Sequence, residues 1–276
     1  MNMFKAVILG IIQGITEFLP VGSSAHLVIF QQFLGIVEPD VLFDVCLHLG
    51  TLVAVLTFYR RQVAELCTEF WWMLRNVRQR KELEAAFNTR PALRAAILII
   101  IGTIPTGIIG VTLMHQFEAL FPSLLGVGLA LIITGLILLG TYWMPNSTRR
   151  MYRMGMLDAV IIGMVQGFAV APGISRSGST IAAALYLGLN RRVAAAFSFL
   201  LSIPSILGAL ILKLHESHHP TLALEPILTG TLVAALVGYL TLKLLVKIID
   251  QGRLWLFAPY CLLVGSGAVV YELISK

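Results

Sequence analysis

Residues 6–14 read AVILGIIQG and residues 159–167 read AVIIGMVQG, so Ala, Val, Ile, Gly, Gln and Gly coincide in the two segments. A proline and a serine-rich turn follow each copy. These turns are Pro20-Val21-Gly22-Ser23-Ser24 and Pro172-Gly173-Ile174-Ser175-Arg176-Ser177-Gly178. A repeated segment with the same kind of turn behind it predicts an internal repeat, although two apolar helices can also share residues by chance.

The composition indicates a membrane protein. The chain has 276 residues, 58% hydrophobic and only 12% charged, with a mean hydropathy of +0.88. A soluble domain carries about 25% charged residues, so this chain could not cover a globule of its size with polar surface. Disorder requires low hydrophobicity and high charge and is excluded as well. We therefore expect an all-α polytopic membrane protein, a single integral membrane domain over residues 1–276.

Hydrophobic stretches predict the membrane spans. A helix needs about 20 apolar residues to cross the hydrocarbon core of a bilayer. Six stretches are long enough: about 42–59, 95–114, 122–143, 194–213, 226–247 and 254–274. Two further apolar regions, 4–34 and 157–190, are interrupted by the proline- and serine-rich turns. Each of these regions is predicted to form two short helices joined by a polar turn.

Three full spans separate the two interrupted regions. Because three is an odd number, the two regions must enter the membrane from opposite faces. The predicted architecture is therefore six transmembrane helices plus two inverted-repeat re-entrant helical hairpins, with repeat 1 at about 4–143 and repeat 2 at about 157–274. The Gly-x-x-x-Gly pairs Gly10/Gly14 and Gly163/Gly167 are expected to let the two hairpins approach closely.

The distribution of basic residues predicts the orientation. The net charge is +6, which in a soluble chain would suggest a nucleic-acid partner, but no such partner is expected here because the basic residues cluster between spans. The connections 35–41, 115–121 and 214–225 contain no Lys or Arg. The positive-inside rule places the other connections in the cytoplasm and both termini outside. The basic segment 60–94, which contains Trp71-Trp72, is predicted as an amphipathic cytoplasmic loop.

Other sequence features add little. Cys46, Cys67 and Cys261 are far apart, so we expect neither a disulfide framework nor a zinc site. The apolar N-terminus is interrupted by Gln13 and Glu17 and is expected to be mature structure rather than a signal peptide.

The first interrupted region carries a carboxylate, two hydroxyls and an imidazole. Charged residues within a membrane are rare and usually functional, which singles out Glu17. Gln13 lies four residues before it and shares its helix face. Ser23, Ser24 and His26 lie beyond Pro20. A serine nucleophile needs a nearby base, which His26 can supply, and Glu17 can orient that histidine or hold a divalent cation.

The second interrupted region carries an arginine among glycines and hydroxyls. Small residues and hydroxyls at a helix start expose backbone N–H groups, and an arginine presents a planar fork to phosphate oxygens. This predicts an anion cradle formed by Gly173, Ser175, Arg176, Ser177 and Thr180. The cradle and the nucleophile would meet only if the two hairpins dock tip to tip.

Less specific interpretations remain open. Glu17 can be an interfacial carboxylate, Arg176 a snorkelling anchor, and the serines helix caps. Asp44 and His48 share a helix face and can line a cavity mouth without taking part in catalysis. The cluster His215-Glu216-x-His218-His219 has the composition of a metal site, but is expected to be a solvated loop.

At these residues the sequence resembles the undecaprenyl-diphosphate phosphatases of the bacitracin-resistance type. Two motifs carry the resemblance. The first comprises Gln13, Glu17, Pro20, Ser23, Ser24 and His26, and the second comprises Pro172, Gly173, Ser175, Arg176, Ser177 and Thr180. The resemblance covers the whole chain and implies the same fold of six spans and two inverted re-entrant hairpins. The implied location is the bacterial plasma membrane, with the active site facing the periplasm or outside.

The resemblance also implies the chemistry. The substrate is a polyprenyl diphosphate, undecaprenyl diphosphate, and hydrolysis gives undecaprenyl phosphate and inorganic phosphate. This recycles the carrier for cell-wall synthesis and confers bacitracin resistance. A divalent cation, Mg²⁺ or Ca²⁺, is implied, with Glu17 as its ligand, and a homodimer is left open. Glu17 is the essential acid, Ser23 the nucleophile, His26 the general acid/base and Arg176 the phosphate clamp. Gln13, Ser24, Gly173, Ser175, Ser177 and Thr180 are substrate-binding.

The sequence departs from the family pattern at two positions. Gln13 stands where glutamate is frequent, so a cation cannot depend on a pair of carboxylates, and Gly22 stands where many members carry serine. Direct attack by water, activated by Glu17 or His26, remains an alternative to Ser23. A secondary transporter or lipid flippase, which binds an anionic head group without cleaving it, is the alternative function.

Overall fold

The computed structural model describes residues 2–36, 41–118, 123–216 and 223–274, and within these ranges the secondary structure is helical, without a β-strand. The helices are α1 (Met3–Thr16), α2 (Ser23–Phe33), α3 (Val41–Phe58), α4 (Arg60–Asn76), α5 (Arg80–Thr89), α6 (Pro91–Thr112), α7 (Met114–Glu118), α8 (Leu124–Gly140), α9 (Met156–Phe168), α10 (Arg176–Tyr186), α11 (Arg191–Glu216), α12 (Leu224–Asp250) and α13 (Ala258–Ile274). Short 3₁₀ turns occupy Thr141–Trp143, Met151–Arg153 and Leu254–Phe257. The predicted all-α class is confirmed.

Long apolar helices make this a multi-pass membrane protein. Within the described ranges, five helices are long and apolar enough to cross a bilayer: Pro91–Thr112, Leu124–Trp143, Arg191–Leu212, Leu224–Asp250 and Leu254–Ile274. A sixth candidate consists of Leu42–Phe58 and Arg60–Asn76, which meet at an angle of 86°. The bend lies at the residue where the sequence changes from apolar to basic, so α3 corresponds to the predicted first span and α4 turns away from it.

The two interrupted regions are built alike. Each folds into two helices joined by a short turn, α1 with α2 and α9 with α10. The second helix has 11 residues in both cases. The first residues of α2 and α10, Ser23 and Arg176, are as far apart in the chain as the first residues of α1 and α9. The spacing of the sequence repeat is therefore kept through both hairpins.

The Gly-x-x-x-Gly pairs lie on packing faces, but not on the face that was expected. A Cβ on Gly10 would lie 2.6 Å from the carbonyl oxygen of Gly230, so α1 packs against α12. A Cβ on Gly163 would collide with the backbone carbonyl of Gly102, so α9 packs against α6. The expectation that these glycines join the hairpins to each other is wrong, because each pair faces a long helix and the hairpins meet at their turns instead.

A buried aromatic residue fixes the end of α1. Phe18 is 2% exposed and packs edge to face on Phe199 of α11, with ring centroids 5.9 Å apart. A Cβ on Gly238 of α12 would lie 2.8 Å from the Phe18 ring. Phe18 is thus wedged between two long helices, which sets the position of its neighbour Glu17.

We expect Gly163→Ala to lower the stability of the protein, because the added methyl group meets backbone atoms that have little room to move. Overpacking of this kind costs about 1–3 kcal/mol. Gly107→Ala is the matched control, since a Cβ there meets nothing within 4 Å and Gly107 lies on the facing helix α6. Thermal unfolding of the purified protein in detergent measures both effects. Equal melting temperatures for the two variants would contradict the packing described for α9 and α6.

Candidate active site

Glu17 is the centre of a polar cluster formed by both hairpins. It follows the last residue of α1 and is 8% exposed. Its Oε1 accepts a hydrogen bond from the Arg176 guanidinium of the other hairpin. Its Oε2 accepts from Ser23 Oγ at 2.7 Å and from Gln13 Nε2 at 3.1 Å. Four residues that the sequence singled out are therefore in one contact network.

Two glycines allow the turns to touch. Gly22 has φ +78° and Gly173 has φ +91°, in the left-handed region where a side chain is strained. A Cβ on Gly22 would lie 3.0 Å from the carbonyl oxygen of Gly173. Glycine adopts this backbone conformation without strain at both positions, and the close contact between the two turns leaves little room for a side chain. The tip-to-tip docking that the cradle required is present.

The hydroxyls of the second hairpin are used within the protein. Ser175 is the N-cap of α10, and its Oγ accepts from the Gly178 N–H at 3.1 Å. Ser177 Oγ donates to the Phe18 carbonyl at 2.9 Å, which ties α10 to the end of α1. Thr180 Oγ1 donates to the Arg176 carbonyl at 2.8 Å.

All three hydroxyl-bearing residues are at least 98% buried. Their contacts hold Arg176 and the turn in place, and their direct contact with a ligand stays a prediction. Ser24 lies beside Ser23 in the first turn of α2 and is half-buried.

His26 lies near the cluster but bonds elsewhere. Its Nδ1 is 2.8 Å from the Gly22 carbonyl oxygen, and its Nε2 is 2.6 Å from the Tyr260 hydroxyl. Because a carbonyl oxygen only accepts, Nδ1 carries a proton, and in the neutral ring Nε2 accepts from Tyr260. The expected hydrogen bonds from His26 to Ser23 and Glu17 are not formed, because the bond to Gly22 turns the ring toward α13.

Three residues that were not assigned to the site from the sequence contact it. His48 Nε2 lies 3.8 Å from Glu17 Oε2, on a ring whose Nδ1 is 2.8 Å from the Asp44 carbonyl oxygen. The sequence placed His48 only at a cavity mouth. Tyr260 and Cys261 approach from α13, and Cys261 Sγ donates to the Pro20 carbonyl at 3.2 Å. No local pattern indicates these two residues, since they lie more than 200 positions from their partners.

The donor set for a metal ion is small. Among the described residues, no group of three or more His, Cys, Asp and Glu side chains is arranged to hold a metal ion. His218 and His219 lie outside the described residues, as do the side chains of His215 and Glu216. Gln13 Nε2 donates to Glu17, while Oε1 of the same amide is buried and has no hydrogen-bond partner among the described residues. An unpartnered amide oxygen on a residue that contacts a carboxylate fits a hard cation that takes its remaining ligands from phosphate and water.

Similarity to known proteins identifies the family. The family model "Bacitracin resistance protein BacA" matches residues 6–267, a range that contains both motifs and all residues of the cluster. The chain belongs to the bacitracin resistance protein family. The resemblance predicted from the two motifs is thereby confirmed.

Curated members of the family match along their full length. A protein named undecaprenyl-diphosphatase from Desulfatibacillum aliphaticivorans is 44% identical to this chain, over 98% of this chain and 99% of the relative. The one from Desulfosudis oleivorans is 46% identical over 96% of this chain and 97% of the relative. The one from Methanosphaera stadtmanae is 39% identical over 99% of both chains. The similarity therefore extends over nearly the whole length of this chain and of its relatives.

We expect Tyr260→Phe to release His26 while leaving the helix in place, because the substitution removes only the hydroxyl group that binds Nε2. One hydrogen bond contributes about 0.5–1.5 kcal/mol, so the variant should fold. The ¹⁵N signals of His26, assigned by their loss in His26→Gln, should shift in labelled protein. Tyr271→Phe on the exposed side of α13 is the control and should leave them unchanged. Unchanged His26 signals in Tyr260→Phe would contradict the hydrogen bond.

Proposed function

We propose that this protein is an undecaprenyl-diphosphate phosphatase that hydrolyses undecaprenyl diphosphate to undecaprenyl phosphate and inorganic phosphate. The reaction returns the lipid carrier to cell-wall synthesis, and the removal of the diphosphate form counteracts bacitracin. The observation that carries the proposal is the contact of Glu17 with Ser23 of its own hairpin and with Arg176 of the other. Full-length similarity to proteins named for this activity supports it.

Arg176 is the group that binds the phosphate. Its planar guanidinium offers paired donors to phosphate oxygens, and its side chain is 20% exposed, so a ligand can reach it. In the structure it neutralises Glu17 instead. A terminal phosphate that takes over the guanidinium removes the positive charge from Glu17 and leaves that carboxylate a stronger base.

Glu17 is the base for the nucleophile. Ser23 Oγ already donates to Glu17 Oε2, so the proton that must leave during attack has an acceptor 2.7 Å away. Ser23 Oγ forms a bond to the terminal phosphorus while the bond from that phosphorus to the bridging oxygen breaks. Undecaprenyl phosphate leaves with the bridging oxygen. Water then hydrolyses the phosphoserine and regenerates Ser23. In the alternative route, Glu17 activates the water directly.

His26 has a different role in this mechanism from the one that the sequence predicted, which was that of a general acid/base beside Ser23. Both ring nitrogens are engaged, with Gly22 and with Tyr260, so its contacts support a role in holding the turn that presents Ser23. Proton transfer to the leaving group by His26 requires that the bond to Tyr260 first opens.

The divalent cation implied by the family, Mg²⁺ or Ca²⁺, would be held by Gln13 and Glu17. Gln13 supplies a neutral amide oxygen and Glu17 the only carboxylate of the cluster, which agrees with a cation shared with the substrate. When bound, the cation would neutralise negative charge on the diphosphate. The residues of the chain then orient the phosphate and accept the proton.

The finer architecture is part of the same proposal. We infer six spans with two inverted re-entrant hairpins, both termini outside and the site open to the periplasmic side of the plasma membrane. Two observations support it: α1 packs on α12 as α9 packs on α6, and the alternate connections 35–41, 115–121 and 214–225 contain no Lys or Arg. The polyprenyl chain would then lie among membrane lipids while the diphosphate reaches the hairpin turns.

We expect Glu17→Gln, Arg176→Ala and Ser23→Ala each to lower the rate of phosphate release from a polyprenyl diphosphate, measured on purified protein with Mg²⁺. Loss of a base or of a phosphate clamp costs about 10²–10⁴ in rate. If water attacks directly, Ser23→Ala retains most of the activity while Glu17→Gln does not, which separates the two routes.

The matched controls are Ser123→Ala, which removes a serine at the start of α8, and Arg75→Gln on α4, both expected to retain wild-type rates. Rates unchanged in Glu17→Gln and Arg176→Ala would overturn the site. A transporter or flippase would instead move the lipid across vesicles without releasing phosphate in detergent, and that result would overturn the enzymatic function.

A further inference from the structure

A cavity of about 760 Å³ lies apart from the Glu17 cluster, where several long helices begin or end. Its walls come from the start of α6, the turn Met151–Arg153 and the residue before it, the start of α11 and the end of α12. Three arginines line it, Arg150, Arg191 and Arg192, together with the single acid Asp250. None of these residues takes part in the proposed reaction.

The arginines are only partly neutralised. Arg192 Nε is 3.1 Å from Asp250 Oδ2, and Arg191 donates at 3.4 Å to the Asp250 carbonyl. Arg150 has no hydrogen-bond or ion-pair partner for its guanidinium among the residues that the structure describes. Three positive charges against one negative charge leave a net positive cavity, which favours an anionic ligand.

The cavity wall is held in position by one asparagine. The Asn190 N–H donates to the Arg149 carbonyl at 2.8 Å and its Nδ2 to the Ser147 carbonyl at 3.0 Å. Asn190 Oδ1 accepts from the Arg192 N–H at 3.0 Å. The backbones that carry Arg150 and Arg192 are thereby tied to each other, so the basic side chains project from a fixed frame.

Exposed aromatic residues place the cavity at the depth of lipid head groups. Tyr152 lines the cavity and is 49% exposed, and Trp143 of the preceding 3₁₀ turn is 67% exposed. Tyr142 packs edge to face on Trp255, with ring centroids 5.2 Å apart. Tyrosine and tryptophan concentrate where the bilayer meets water, and guanidinium groups at that level meet lipid phosphates.

We propose that this cavity binds the phosphate of an anionic membrane phospholipid, with Arg150 and Arg191 as its principal ligands. The phosphate supplies the negative charge that Asp250 leaves unmatched, and the planar guanidinium groups bind its oxygens in pairs. The site lies outside the Glu17 cluster, so the proposal does not depend on the proposed phosphatase activity.

Native mass spectrometry of the purified protein tests the proposal, with phosphatidylglycerol and phosphatidylcholine of the same acyl chains added in turn. Arg150→Gln/Arg191→Gln should lose phosphatidylglycerol binding by about fivefold for each arginine removed, while phosphatidylcholine binding is unchanged. The control Arg75→Gln/Arg78→Gln removes the same charge elsewhere and should keep wild-type binding. Glu17→Gln should also keep it, which separates this site from the catalytic one.

Equal losses in the two double variants would overturn the proposal, since general charge would then explain the binding. Equal binding of the two lipids by the wild type would overturn it too. In a further arm, inorganic phosphate is added alone. A protein that binds inorganic phosphate but not phosphatidylglycerol would overturn the proposal, because the ligand would then be free phosphate rather than a lipid head group. If the double variant does not fold, Arg150→Gln carries the test, because that side chain has no partner within the described protein to lose.

Discussion

The ion pair between Glu17 and Arg176 is the interaction on which the centre of this protein depends. It joins two hairpins that come from opposite halves of the sequence, and both partners are largely removed from water. A buried carboxylate that loses its partner typically destabilises a protein by about 3–5 kcal/mol, so each hairpin constrains the other. The contact of Gly22 with Gly173 and the bond from Ser177 to the Phe18 carbonyl hold the pair together.

Much of this arrangement could be predicted from local sequence. Prolines and serines that interrupt apolar stretches predicted the helix breaks, and the charged residue in each interrupted region singled out Glu17 and Arg176. The partners of His26, of Gly10 and of Gly163 could not be predicted, because they lie on distant helices that no local spacing identifies. A serine and a histidine three residues apart favoured a hydrogen bond between them, but an imidazole can equally bond back to the carbonyl four residues earlier, and here it does.

The same ion pair explains how the site can be assembled before a substrate arrives. An isolated buried Glu17 would take up a proton, and an isolated Arg176 would need water. Each instead satisfies the other, while Ser23 and Gln13 occupy the second carboxylate oxygen. A phosphate group offers Arg176 a more highly charged partner than one carboxylate. In the proposed mechanism, the charge released on Glu17 then appears beside Ser23, so binding of the anion and activation of the nucleophile are coupled through one side chain.

The two hairpins share a backbone plan but differ in chemistry at matching positions. Ser23 and Arg176 are the first residues of α2 and α10, and both reach the same carboxylate. Gln166 repeats Gln13, yet its amide donates to Ser205 Oγ at 2.8 Å, and Val170 stands where Glu17 would recur. Because only one copy carries a carboxylate at this position, we propose that the two turns form a single reactive centre at their contact. The duplicated backbone brings the turns together, and the substitutions between the copies supply the acid, the alcohol and the guanidinium.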